Sequence, residues 1–102
     1  MSKLEFLEET TAQICKDIFQ GQLLVAPDFA ELHIILANKI LQLLSEDINQ
    51  LMNILYRLDI SETKVKQTFK LLSKEDIATQ LAELIIQREL QKVETRSKYS
   101  GL

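Results

Sequence analysis

Phe29-Ala30-Glu31-Leu32-His33-Ile34-Ile35-Leu36-Ala37-Asn38-Lys39-Ile40-Leu41-Gln42-Leu43-Leu44 decides the fold. Eleven of these sixteen residues are apolar. On a helix turning about 100° per residue, Glu31, Asn38, Lys39 and Gln42 share one arc of about 100°. The rest of the circumference is apolar except for His33. A helix of that kind must be covered on several sides. The stretch is therefore read as the central helix of a small bundle, with the rest of the chain as its cover.

Composition agrees with an all-α single domain of four or five helices. The chain has 102 residues, 46% of them hydrophobic, with two Gly and one Pro. That length holds one core, and so few breakers suit helices joined by short turns. The net charge of −3 speaks against a nucleic-acid binder. Charge is uneven: residues 1–51 hold three Lys and eight acids, residues 52–102 nine Lys or Arg and seven acids. The lone Cys15 excludes an internal disulfide and predicts a reducing, cytoplasmic setting. Met1 to Leu7 contains Lys3 and Glu5 and lacks the apolar segment of a signal peptide. No apolar run approaches the roughly 18 residues of a membrane span.

Moving outward, Ser2 and Glu5 have capping-box spacing, and Leu4, Leu7, Thr11, Ile14, Cys15, Ile18 and Phe19 share one face of a first helix that stops at Gly21. The apolar connection through Leu23, Leu24 and Val25 is expected to tuck under the bundle. Asp28 caps the central helix, with Glu31 answering. A break near residues 45–47 is favoured over one continuous helix from 28 to 58, because a straight rod cannot fold back on itself. Ile48, Leu51, Met52, Leu55 and Leu58 then form the face of a third helix, with Ile54 on its edge. Ser61 and Ser73 cap the fourth and fifth helices. Ile60 with Val65, and Leu72 with Ile77, stand at hydrophobic-staple positions.

The stretch Leu55-Tyr56-Arg57-Leu58-Asp59-Ile60-Ser61-Glu62, with Leu84-Ile85-Ile86-Gln87-Arg88-Glu89-Leu90-Gln91-Lys92, resembles small all-helical bacterial proteins of uncharacterised function. The resemblance covers the C-terminal half. It implies a helical fold and carries over no activity and no site residue.

Residues that do chemistry are sparse. His33, the only histidine, sits on the apolar arc, where a core histidine with a local hydrogen bond is the simplest reading. Cys15 reads as a small apolar filler. No metal-ligand spacing, phosphate-binding glycine loop or oriented nucleophile is present, so no catalytic residue, cofactor or metal is assigned. Tyr56, Arg57 and Asp59 read as a helix end and its dipole partners, with a binding rim as the sharper alternative. A helix-turn-helix with Lys64, Lys66 and Lys70 is disfavoured by Glu62 and by the lack of base-reading residues.

The last helix changes face. Ile77, Ala78, Leu81, Ala82, Leu84 and Ile85 form one apolar side, which Arg88, Lys92 and Arg96 continue as a basic stripe. Ile86, Leu90 and Val93 lie on another side, rotated by roughly 140°. The pattern predicts a core over residues 2–86 and a projecting helical arm over about 87–98, whose Ile86, Leu90 and Val93 dock on a partner chain. Ile35, in the middle of the polar arc of the central helix, is a second candidate contact. The function expected is a non-enzymatic, self-associating protein-interaction or assembly module, with a second copy or another protein as partner and no membrane. The alternative is a small anion- or nucleic-acid-binding protein using Arg88, Lys92, Arg96 and Tyr99.

Overall fold

The computed structural model describes residues 3–100, and side chains for residues 5–98. Five α-helices follow in order: α1 (Leu7–Ile18), α2 (Phe29–Glu46), α3 (Ile48–Arg57), α4 (Glu62–Thr68) and α5 (Lys74–Ser100). No strand occurs among the described residues. Ser2 lies outside them. A 3-10 turn over Lys3–Phe6 leads into α1, and Phe6 at the N-cap makes no side-chain cap.

The remaining helix starts follow the sequence. Glu31 N donates to Asp28 Oδ1 at 2.8 Å, Gln50 N to Asp47 Oδ1 at 3.1 Å, Lys64 N to Ser61 Oγ at 3.4 Å and Asp76 N to Ser73 Oγ at 3.1 Å. Asp47 ends α2 and starts α3: its N–H donates to Leu43 O, and φ −156°, ψ 74° take it out of the helical region. The chain therefore breaks at one residue and α3 folds back on α2. After α1, Gln20 (φ 55°) and Gly21 (φ 84°) turn left-handed, with Gly21 N donating to Cys15 O at 2.9 Å. Asp59 (φ 58°) makes the α3–α4 corner.

α2 is central, as its composition requires. Leu32, Leu36 and Ile40 are wholly buried, and its most extensive neighbour is α5. Leu36, Ile40, Leu43, Leu51, Leu55 and Leu81 are buried in the core, while Leu84 at its margin is half-buried. α5, with 27 residues and so about 40 Å long, spans the 43 Å long axis of the molecule. α1 packs beside it. Glu9 of α1 reaches Arg96 of α5, while Asp17 sits close enough to Glu89 to act on its charge. The two helices thus run antiparallel.

That pairing corrects the expectation of an arm over residues 87–98. Ile86, Leu90 and Val93 are buried inside the chain, and the core runs to Val93. The change of face on α5 is real, but it has an intramolecular cause. One side of the helix faces α2 and the rotated side faces α1. Only from Glu94 onward is every described residue exposed.

Three smaller corrections concern apolar surface. The 22–27 connection does not tuck under: Leu24 and Ala26 are half-buried, while Leu23 and Val25 are each 89% exposed. This alternation is that of an extended chain. Leu72 is fully exposed, so the second staple is not made, although Ser73 still caps. On α3 the buried face is Leu51, Ile54, Leu55 and Leu58, with Ile48 and Met52 turned outward.

Candidate functional site

The candidate residues fall in different places. Ile86, Leu90 and Val93 are interior and unavailable to a partner in the folded chain. On α2 it is Ile34, at 54%, that faces solvent, while Ile35 is half-buried. Lys39, on the same arc, extends over the Phe19 ring, so that side of the helix is partly covered and the exposed edge shifts to Ile34.

The basic stripe is engaged within the chain. Arg88 Nε donates to Leu58 O at 3.2 Å, and its Nη2 lies 3.4 Å from Asp59 Oδ2. Arg88 thereby ties the left-handed α3–α4 corner to α5. Lys92 Nζ lies 3.5 Å from Glu89 Oε1, and Arg96 Nη2 lies 3.7 Å from Glu9 Oε2. The three cations border a shallow groove of about 490 Å³ with Gln13, Gln91 and Thr95. The side chain of Tyr99 lies outside the described residues.

Glu89 is the feature that sequence reasoning missed. Its side chain has no exposed surface, and the Lys92 ammonium, 3.5 Å from Oε1, stands at the limit of hydrogen-bond distance. Burial pushes its pKa above the ordinary 4.5. The Lys92 ammonium pulls it back, Asp17 pushes it further up, and Arg96 also lowers it. Thr10 on α1 is likewise fully buried with an unpartnered hydroxyl. The signal lay in the i, i+3, i+4, i+7 set of Ile86, Glu89, Leu90 and Val93. Glu89 sits among the apolar positions, not among the charged ones.

His33 is half-buried, and its Nε2–H donates to Thr79 O at 2.9 Å, joining α2 to α5. Cys15 is a buried free thiol. Among the described residues no group of His, Cys, Asp and Glu is placed to hold a metal ion, and no helix is long and apolar enough to cross a membrane.

A groove of about 720 Å³ runs between α1 and the connection that follows it. Leu7, Cys15 and Leu24 line it. Leu23 and Val25 form its exposed outer wall, and the buried hydroxyl of Thr11 in it has no partner. Glu8, Ala12 and Lys16 complete the α1 side at i, i+4, i+8, all three exposed. In contrast to the cations of the basic stripe, neither Glu8 nor Lys16 has an ion-pair partner among the described residues. The sequence marked Leu23 and Val25 as unusual for a connection, but pointed them inward.

No family model, curated protein or solved structure matches this chain.

Proposed function

We propose that the chain is a non-enzymatic protein-interaction module that associates with a second copy of itself in the cytoplasm of a bacterium. The observation that carries this reading is the wall of the α1 groove. The core is closed without Leu23 and Val25, yet both project into solvent beside the α1 groove. Folding gains little from large apolar side chains left in that position, whereas a contiguous apolar patch next to a groove is what a docking surface requires. The free thiol Cys15 suits a reducing compartment, and the resemblance to small bacterial helical proteins suits the source. The anion-binding alternative is weakened by the intrachain pairs of Arg88, Lys92 and Arg96.

Sedimentation velocity from micromolar to millimolar concentration tests the proposal. The mass is expected to rise reversibly above the 11.8 kDa of one chain. A mass that stays at one chain throughout sinks it.

A further inference from the structure

We infer that two copies pair through this groove, with α1 of one copy crossing α1 of the other antiparallel about a two-fold axis at Ala12. The inference deepens the self-association reading and rests on it. What fixes the occupant is charge. Glu8, Ala12 and Lys16 form one line along the exposed face of α1, and all three border the groove. The line carries an anion at one end, a cation at the other and the smallest side chain between them. In a two-fold contact residue i meets j and j meets i. Antiparallel pairing centred on Ala12 sets Glu8 against Lys16 of the partner subunit, and Lys16 against Glu8 of the partner subunit. A parallel pairing would oppose like charges. The methyl group at the crossing lets the two helices approach closely.

The same operation places the exposed Leu23 and Val25 of each copy beside the open apolar groove of the other. The two wall residues that folding leaves in water are thus covered, together with Cys15 and Leu24 beneath. The ion pairs set register and orientation, and the apolar cover supplies most of the affinity.

A charge-swap experiment on the full chain tests this. Glu8→Lys leaves two cations on the line, and Lys16→Glu leaves two anions. Glu8 lies in the first turn of α1 and Lys16 in the last, so each swap opposes the helix dipole and should lower the thermal midpoint by about a few degrees while the chain still folds. Each alone is expected to self-associate at least about tenfold more weakly than the parent. An equimolar mixture of the two should form a heterodimer, and the double variant Glu8→Lys/Lys16→Glu should recover the parent's dimer. With Cys15 replaced by Ser, Ala12→Cys should oxidise to a disulfide-linked dimer. Leu23→Asp should weaken association without unfolding the chain. If the parent associates but single swaps leave its dissociation constant unchanged, or the mixture stays monomeric, this interface is wrong while self-association stands. A parent that is monomeric at every concentration overturns both.

Discussion

Glu89 stands out among single residues because its carboxylate lies fully buried where α1 meets α5, with the Lys92 ammonium 3.5 Å from Oε1. Its pKa is raised in the folded chain, chiefly by burial, so the folded state holds this proton more tightly than the unfolded state does. The sign follows from linkage. The group favours folding fully at pH below the ordinary 4.5, and that contribution is lost as pH rises through the raised folded value. Glu89→Gln does not titrate. Across that window its stability relative to the parent should grow by up to about 1.4 kcal/mol per pH unit. Urea denaturation at a series of pH values measures this, and a difference that stays flat with pH rejects it. Arg88 poses the complementary case. It is a charge on the surface stripe, yet it binds a backbone carbonyl and Asp59 at the corner. Because the group is partly exposed, Arg88→Ala should cost only about 1 kcal/mol. Lys in its place should not restore the loss, since an ammonium cannot span both acceptors as the planar fork does. The role of Arg88 was not legible in the sequence, and that of Glu89 was marked only by its place among apolar positions. A charged residue at helical spacing reads the same whether it faces water or a neighbouring helix, and only the packing of α1 on α5 decides.

At the scale of elements, the starts of α2 to α5 and the break between α2 and α3 were readable because they are local. An Asp or Ser three residues before an orphan N–H fixes each start from sequence alone. Asp47 ends α2 through its backbone N–H and starts α3 through its side chain, so Asp47→Ala removes only the α3 cap and should cost about 1 kcal/mol. Equilibrium unfolding checks the value. α2 was readable for another reason: a stretch apolar on most sides has one environment open to it. Leu36→Ala and Ile40→Ala should each cost about 2 to 5 kcal/mol. Chemical denaturation with both changes below about 0.5 kcal/mol would reject a central α2. What failed were faces with more than one geometric solution. α3 buries Ile54 with Leu51 and Leu55, leaving Ile48 and Met52 outside, a modest rotation that a half-apolar helix permits. The extended 22–27 connection shows period-two exposure that a helical wheel does not detect.

For the whole molecule, the deciding question is what α5 does in its second half. Sequence periodicity shows that its apolar side rotates, and two folds satisfy that: an arm offered to another chain, or a helix gripped from two sides by its own. The structure has the second, and the consequence is energetic. Leu90 and Val93 are buried against the rest of the chain, and burying each such side chain stabilises by about 1.5 to 3 kcal/mol. Removing the segment also takes away the part of α5 that meets α1 at Glu9 and Asp17. Single domains have only about 5 to 15 kcal/mol of net stability, so a chain ending at residue 86 should lose most or all of it. A chain ending at residue 96 keeps Leu90, Val93 and the Glu9–Arg96 pair, and should melt near the parent. Circular dichroism melts of the two truncations separate the possibilities. If the chain ending at 86 melts cooperatively within a few degrees of the parent, residues 87–96 are an appendage after all and α1 is held by α2 alone. If it is unfolded while the longer truncation is not, α5 is the spine that holds α1 in place. The α1 groove is then a surface whose geometry depends on the far end of the chain.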